Sequence, residues 1–259
     1  MIRGLYTSGW SMLALQKKMD VVTNNMANVS TSGYKKDTLV LESFPSLLTK
    51  IVKDYGGTPG NSRDIGTMSL GDDVGEVFTN YTQGQITKTG NNLDMAISES
   101  NNAFFSVSMT DANGNENEYY TRDGSFTKGS DGSLLTSDGY SVLGKNGPIK
   151  LGSGDFIVGS DGTIQQNGVT VDQLKITEFA DTTQLKKYGN NLVTSDADAS
   201  TKQFSGIVEQ GFTELSNVNI VKEMVDMITV TRAYEANQKV LQAQDGTLEK
   251  AVNEVGRVG

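Results

Sequence analysis

The fold is decided by one stretch near the end of the chain, residues 220–255, which read IVKEMVDMITVTRAYEANQKVLQAQDGTLEKAVNEV. Apolar residues recur in it at every seventh position, namely Ile220, Met227, Tyr234, Leu241, Leu248 and Val255. The same stripe is flanked by Val221, Met224, Ile228 and Val252. A sustained seven-residue repeat is typical of helices that pack lengthwise against other helices. The stretch therefore predicts a long helix that has a helical partner.

A second repeat near the start of the chain supplies a candidate partner. Its seven-residue stripe is Leu5, Met12, Met19 and Met26, flanked by Leu15, Val22 and Val29. The pattern predicts a helix over residues 3–28, and we expect the two helices to pair as a coiled coil. Asn24, Asn25 and Asn28 are expected to satisfy backbone groups where this helix stops, and Gly33 to permit the turn that follows.

Two arrangements of these helices are open: a hairpin within one chain, or packing among several subunits. Leu13 in the first helix, and Val225 and Val230 in the second, make each helix apolar beyond a single seam. Such two-sided apolarity favours burial among several subunits. The predicted assembly interface comprises Leu5, Met12, Leu15, Met19, Val22, Met26, Ile220, Met224, Met227, Ile228, Tyr234, Leu241 and Leu248.

The middle of the chain has the pattern of short strands separated by turns. Its turn dipeptides are Asn113-Gly114, Asp123-Gly124, Asp131-Gly132, Asp138-Gly139, Asn146-Gly147, Asp161-Gly162 and Asn167-Gly168. Asn-Gly and Asp-Gly suit the positive φ angles of hairpin turns. The pattern predicts an antiparallel β domain of sandwich or open-barrel type, and therefore an α+β fold with long helices at both ends.

These patterns divide the chain into four parts. We expect an N-terminal assembly helix with its following motif over residues 1–53, and a Gly-rich extended connector over 54–73. The β domain is expected over 74–212 and the C-terminal assembly helix over 213–259. Within the first part, Tyr34 to Val52 is interpreted as an extended stretch followed by a possible helix. Ser216 or Asn217 is expected to cap the second helix.

Composition argues against most kinds of enzyme. The 259 residues include no Cys and no His. Thiolate and imidazole metal ligands, cysteine nucleophiles and histidine bases are therefore excluded. Carboxylate chemistry of the glycosidase kind is disfavoured because every Asp of the Asp-Gly pairs is explained by a turn. The sequence predicts no catalytic residue, no cofactor and no metal site.

Charge and hydropathy limit the kinds of partner that the chain is expected to have. Residues 1–53 carry a net charge of +4 and residues 54–216 carry −12, within a total of −9. Because nucleic-acid binding depends on neutralising phosphates, the acidic middle argues against it. No apolar run approaches the roughly 18 residues of a membrane span, and the start is not that of a cleaved signal peptide. We therefore expect a protein that is not membrane-embedded and is exported, if at all, without a cleaved signal.

Several motifs of this chain resemble those of flagellar basal-body rod and hook proteins. They are Asn24 to Lys35 (NNMANVSTSGYK), Thr89 to Ile97 (TGNNLDMAI), Tyr120 to Phe126 (YTRDGSF), Ser216 to Val221 (SNVNIV), Met224 to Ile228 (MVDMI) and Arg232 to Asn237 (RAYEAN). Within them we single out Asn24, Asn25, Asn28, Gly33, Tyr34, Lys35, Asn217 and Asn219 as family-motif residues. The chain is most similar to distal rod members, with proximal rod members as the alternative.

The resemblance implies a function and a set of partners. Proteins of this family polymerise into a helical tube, the drive shaft from motor to hook, with paired terminal helices inside and β domains outside. The implied partners are further copies, other rod and hook subunits and the flagellar type III export apparatus. The motif residues are expected to act at the helix ends, with Tyr34 and Lys35 contacting the β domain or an adjacent subunit. A secreted β scaffold or adhesion domain with coiled-coil termini remains the alternative.

Overall fold

The computed structural model shows a chain of two compact units. Its described residues are 2–43, 47–51, 63–68, 72–110, 116–189, 191–195 and 199–255. Unit 1 combines Met1–Met26, Asp37–Phe78 and Ile220–Gly259. Unit 2 combines Ala27–Lys36 and Thr79–Asn219. Each unit is thus assembled from segments that are far apart in the sequence.

Unit 1 contains both long helices, α1 (Ile2–Ala27) and α2 (Ile220–Val255). The helix predicted over residues 3–28 is confirmed. The predicted cap of the second helix is wrong, because α2 begins at Ile220 and Asn219 therefore occupies the position before its first residue. The Ser216 hydroxyl instead accepts the N–H of Val218 at 3.3 Å, and Asn217 has other partners.

The two helices run antiparallel in one register. The Nδ2 of Asn25 donates to Glu223 at 3.2 Å, and the Nδ2 of Asn237 donates to the Ser11 hydroxyl at 3.1 Å. A Cβ on Gly4 would collide with the side-chain amide of Gln244. From one contact to the next, the residue number on α1 rises by seven and then by fourteen. The residue number on α2 falls by the same amounts. The contacts therefore follow the heptad spacing that the sequence shows.

Few of the side chains whose exposure is described on these two helices are fully buried. On α1 they are Ser8, Ala14, Val22 and Asn25, and on α2 they are Glu223 and Val230. Val230 was expected on a second apolar face, outside the seam. That expectation is wrong, because Val230 lies seven residues after Glu223, on the side of α2 that contacts α1.

Unit 1 also contains the first four strands, apart from the last residue of the fourth: β1 (Asp37–Ser43), β2 (Leu47–Ile51), β3 (Arg63–Met68) and β4 (Asp72–Thr79). Strand β1 pairs with β4, and β2 pairs antiparallel with β3 from Leu47↔Met68 to Ile51↔Arg63. The possible helix after Tyr34 is wrong, since this segment forms β1 and β2, and the β2 sequence LLTKI includes two β-branched residues. The predicted connector 54–73 lies mostly outside the described residues, and its described part forms β3 and the start of β4.

Unit 2 holds the remaining strands. They are β5 (Ile86–Lys88), β6 (Met95–Ser98), β7 (Ala103–Thr110), β8 (Glu116–Thr121), β9 (Phe126–Lys128), β10 (Leu134–Thr136), β11 (Ser141–Gly144), β12 (Gly147–Pro148), β13 (Phe156–Val158), β14 (Thr163–Gln166), β15 (Val169–Gln173), β16 (Ile176–Phe179), β17 (Leu185–Tyr188), β18 (Leu192–Ser195), β19 (Thr201–Lys202), β20 (Ile207–Gln210) and β21 (Phe212–Glu214). The predicted antiparallel β domain and α+β class are confirmed.

Most of these strands belong to one ten-stranded sheet. Its main path is β17-β18-β8-β7-β11-β10-β9, with β12 on β11, β16 on β7 and β19 on β16. Smaller sheets are β13-β14-β15, β20-β6 and β21-β5. The main core packs around Phe105, Phe126, Leu134 and Ile164. A second cluster contains Tyr81, Phe104 and Phe179.

The turn dipeptides have different outcomes. Asn167 and Gly168 have φ angles of 54° and 79° between β14 and β15, the two-residue turn that was predicted. Asp131-Gly132, Asp138-Gly139, Asn146-Gly147 and Asp161-Gly162 each lie at a connection between paired strands. Asn113-Gly114 lies outside the described residues. Asp123-Gly124 is not a hairpin turn: a Cβ on Gly124 would collide with the Met95 carbonyl, and Met95 donates its N–H to the Gly124 carbonyl at 3.0 Å.

Candidate assembly site

The predicted interface residues fall into three groups in unit 1. Val22 is buried, whereas half-buried positions are taken by Leu5, Met12, Leu15, Met19, Met26, Met227, Tyr234, Leu241 and Leu248. The exposed members are Ile220, Met224 and Ile228. The hairpin within one chain thus accounts for part of the stripe and leaves the rest accessible to another molecule.

The exposed members belong to a continuous surface that we call the α2 outer patch. It comprises Ile220, Val221, Met224, Val225 and Ile228, with exposed fractions between 40% and 67%. These residues recur at helical spacing on the face of α2 turned away from Glu223 and Asn237, which contact α1. Clusters of exposed large apolar side chains of this kind mark interaction sites.

The first helix carries a second such surface, the α1 outer patch of Tyr6, Trp10 and Leu13. Their exposed fractions are 62%, 41% and 44%. The three positions follow i, i+4 and i+7 spacing, on the side of α1 away from Gly4 and Ser11. The sequence prediction named Leu13 only. The same spacing could have revealed Tyr6 and Trp10, because a second apolar stripe on a helix implies a second partner.

Asn25 bonds the backbone of Asp37 at the start of β1. Its Oδ1 accepts the N–H of Asp37 at 2.9 Å and its Nδ2 donates to the carbonyl of the same residue at 2.8 Å. The amide side chain thereby offers β1 the donor and acceptor of a neighbouring strand. Because it also donates to Glu223, one buried Asn ties together α1, α2 and the start of β1.

The turn after α1 belongs to unit 2. The Thr31 hydroxyl donates to the Oδ1 of Asn28 at 3.2 Å, and Asn24 is exposed. Gly33 has a φ of 70°, and a Cβ there would collide with the backbone at Arg122 and Asp123. Glycine therefore meets both demands of this turn, a positive φ and a close approach to the neighbouring backbone.

A buried charge cluster lies next to this turn. The carboxylate of Glu214 accepts from the Lys35 ammonium at 2.6 Å, from Arg122 at 3.1 Å and from the Gly84 N–H at 2.7 Å. The side chains of Lys35 and Glu214 are only 4% and 1% exposed. Lys35 also donates to the Thr82 carbonyl, and Arg122 donates to the Ser100 carbonyl. Buried ions require this density of partners to offset lost hydration.

Two cations share one carboxylate in this cluster, and both cations have lowered pKa values. Burial lowers the pKa of Lys35 to about 8, an effect that attraction to Glu214 opposes and repulsion from Arg122 assists. Burial also lowers the pKa of Arg122, again against the attraction of Glu214. Glu214 is therefore the group on which both buried charges depend.

Asn217 ties three segments of unit 2 together. Its Oδ1 accepts the N–H of Lys36 at 2.7 Å, and its Nδ2 donates to the carbonyls of Asn80 and Thr82 at 2.8 and 3.0 Å. Tyr34 is buried, and the Lys187 ammonium lies 4.3 Å from the centre of its ring. Tyr34 and Lys35 were expected to contact the β domain or an adjacent subunit. In the structure both contact the β domain.

Sequence reasoning missed Glu214, the centre of this cluster. A single Glu in the β-prone run Phe212 to Leu215 gives no signal of burial, and its partners are distant in sequence. Arg122 and Lys35 were within the quoted motifs, but their pairing was not predicted. Arg122, a cationic motif residue in the acidic middle of the sequence, was the available signal that a buried carboxylate would compensate it.

A polar cavity lies in unit 2. It has a volume of about 460 Å³ and its lining includes Asp123, Asp138, Tyr140 and Tyr188. Burial raises the pKa of Asp123, whose carboxylate accepts the N–H of Ser125 at 3.0 Å. Both Asp residues belong to dipeptides identified above by their turn pattern, and Asp123 holds the chain beside Gly124. Among the described residues, no three potential metal ligands of the His, Cys, Asp and Glu types converge.

The described helices contain no stretch with the length and hydropathy of a membrane span. Two features of the described residues are candidates for a function. They are the two apolar helix patches in unit 1 and the buried charge cluster in unit 2. The first can hold another apolar surface, and the second holds the turn after α1 to the rest of unit 2.

Three family models match this chain. Residues 5–35 match "Flagella basal body rod protein", residues 100–190 match "Flagellar hook protein FlgE/F/G D1 domain", and residues 209–254 match "Flagellar basal body rod FlgEFG protein C-terminal". The first and third matches contain most of α1 and of α2, and the second lies within the β domain.

Curated proteins match over the whole length. The chain is 32% identical over 271 residues to the flagellar hook-basal body complex protein FlhO of Bacillus subtilis, covering 100% of both chains. It is 33% identical to the flagellar basal-body rod protein FlgG of the same organism, covering 98% of this chain and 99% of the relative. The flagellar basal-body rod protein FlgF of Caulobacter vibrioides is also 33% identical, over 100% and 99% of the two chains.

Proposed function

The chain belongs to the flagellar basal-body rod protein family, and we propose that it polymerises helically into the drive shaft between motor and hook. It is a structural subunit of the bacterial flagellar basal-body rod and not an enzyme. The helical polymer and the transmission of torque are the proposal.

One observation carries the proposal: both terminal helices lie in one unit whose outer faces are apolar. A closed two-helix hairpin would present polar residues outward. The two outer patches instead place eight large apolar side chains at the surface. A heterologous contact that does not close on itself generates a filament, so further copies can cover these surfaces without limit.

We propose that α1 and α2 form the coiled-coil wall of this filament. The heptad-spaced contacts of Gly4, Ser11 and Asn25 with α2 support it. The half-buried positions Met12, Met19, Met227 and Leu241 would become fully buried when neighbouring helices pack beside the pair. Asn25, Asn28, Gly33, Tyr34, Lys35 and Asn217 would hold the chain segments from which the helices extend.

Within the family, we propose the distal rod, with the proximal rod as the second possibility. Motif similarity along the chain supports the former, and relatives named FlgG occur among the full-length matches. The match to FlgF is equally extensive and supports the latter.

The partners proposed are other copies, adjoining rod and hook subunits and the flagellar type III export apparatus, with function outside the cytoplasmic membrane. Passage through a narrow export channel requires an unfolded chain. Long helices without tertiary partners are marginal in water, which suits such passage.

The experiment is a deletion in the source bacterium followed by cryo-electron microscopy of its basal bodies. We expect rods that stop short, no hooks and non-motile cells, with restoration by the intact gene. The axial position at which the rod stops separates distal from proximal. Complete rods in the deletion strain would contradict the proposal. A secreted adhesion domain with a closed coiled coil, the alternative from sequence, predicts motile cells and is not favoured by the full-length matches.

A further inference from the structure

We propose that the α1 outer patch of one copy packs against the α2 outer patch of the next, with Tyr6 beside Ile228, Trp10 beside Met224 and Leu13 beside Val221. This inference rests on the proposed polymer and specifies which surfaces touch. Its occupant is a second copy of this chain.

The spacing of the two patches carries the argument. Along α1 the exposed positions advance by four and then three residues, from Tyr6 to Leu13. Along α2 the exposed positions fall by four and then three, from Ile228 through Met224 to Val221. Antiparallel helices therefore bring all three pairs together in one register.

The same chain cannot make this contact with itself. Its own register sets Ser11 beside Asn237, which places Leu13 beside residue 235. Val221 lies fourteen residues from that point, or about 21 Å at 1.5 Å per residue. Both patches also face away from the seam. A second copy displaced by about 21 Å along the helix axis satisfies the register. Because fourteen residues are two heptads, this displacement leaves the same sides of the two helices facing each other.

Chemistry and area agree with this pairing. One patch offers the flat rings of Tyr6 and Trp10, and the other offers branched side chains and Met224, whose thioether packs well on aromatic rings. Taking about 150–250 Å² for a whole aromatic side chain and less for the six other side chains, the eight partly exposed residues supply on the order of 800 Å² at most. A stable pairwise interface buries roughly 1,600 Å². One contact is therefore weak, and stability requires contacts on both ends of each copy.

The chain contains no Cys, so disulfide trapping reports this contact directly. Leu13→Cys with Val221→Cys is the matched pair, and Leu13→Cys with Ile228→Cys is displaced by seven residues, about 10 Å. Ser11→Cys with Asn237→Cys tests the seam within one chain. Disulfides need Cα atoms within about 7 Å. After assembly and oxidation, we expect a ladder of copies joined by disulfides for the matched pair, and at least tenfold less of it for the displaced pair. For the seam pair, we expect a disulfide within each chain and no ladder.

Rods that assemble from the matched variant without a ladder, or that cross-link equally in the displaced variant, would overturn the inference while leaving the rod function intact. Failure of the unmodified protein to form rods would instead count against the proposed function. Should the matched Cys pair itself prevent assembly, a charge exchange decides: Leu13→Glu and Val221→Lys each block assembly, and their combination on one chain restores it. No restoration would overturn the pairing.

A spectroscopic readout accompanies these variants. Trp10 is the single tryptophan of the chain. Its emission is expected to shift to shorter wavelength on assembly, and Met224→Ala is expected to reduce that shift in rods that still form. An unchanged Trp10 emission between dilute protein and rods would contradict burial of the α1 outer patch.

Discussion

Unit 2 packs large apolar side chains into two buried clusters, whereas the two helices of unit 1 leave most of their described large apolar side chains half-buried or exposed. On the helices of unit 1, the fully buried apolar side chains among those whose exposure is described are Ala14, Val22 and Val230. Unit 2 holds two clusters of them and a buried charge cluster as well. The difference indicates that the β domain is stable by itself, while the helix pair depends on other molecules for much of its apolar burial.

The largest effect on the difference in stability between the two units is expected from Glu214→Ala in unit 2. The change leaves Lys35 and Arg122 as neighbouring buried cations without their shared carboxylate. Removing one partner of a buried ion cluster costs about 3–5 kcal/mol. Denaturant unfolding of dilute protein measures the loss, and the exposed Glu116→Gln serves as the matched control. A loss no greater than the control's would show that the cluster does not stabilise unit 2.

The next effect is expected from Leu241→Asp or Met227→Asp in unit 1. Each places a carboxylate at a half-buried helix position, at a cost of roughly 2–3 kcal/mol to helix packing. We expect assembly to be abolished while the unfolding midpoint of unit 2 stays unchanged. Sedimentation and electron microscopy measure assembly, and near-ultraviolet circular dichroism follows the β domain. Swimming cells that build rods from either variant would disprove the seam assignment.

Asn25→Ala is expected to have a smaller effect. It removes the side chain that bonds both backbone groups of Asp37 and reaches Glu223, and leaving such groups unpaired costs about 1–3 kcal/mol. Helicity at low protein concentration should fall relative to Thr23→Ala, an exposed position on the same helix. Equal helicity in the two variants would place the junction of α1, α2 and β1 elsewhere.

The smallest effect is expected from a change of one pH unit. The pKa of Lys35 is about 8 in the folded protein against 10.5 without burial. Between these values the unfolded chain retains a proton that the folded chain has lost, so the free energy of unfolding rises with pH, by at most about 1.4 kcal/mol per unit. The raised pKa of Tyr120 opposes this above pH 10. Urea unfolding from pH 8 to 10 should show the rise, and Lys35→Met should lack it. The same slope in both proteins would contradict the assignment to Lys35.

The sequence predicted what depends on local periodicity. The extent of α1, the antiparallel β domain and the Asn167-Gly168 turn followed from spacing and turn chemistry. The helix expected before Val52 was wrong because its apolar residues belong to strands, which short apolar runs do not distinguish from helices. Glu214 could not be predicted, since its partners come from residues 179 and 92 positions away. The start of α2 was misplaced because Asn217 bonds distant segments instead of the helix.

Hydrogen exchange compared between dilute protein and assembled rods tests the central claim most directly. We expect the amides of β7 and β8 to be equally protected in both samples, because unit 2 completes its own core. The amides of α1 and α2 should exchange at least a hundredfold more slowly in rods than in dilute protein. Full protection of both helices in the dilute protein, unchanged on assembly, would contradict the claim that unit 1 is completed by neighbouring copies.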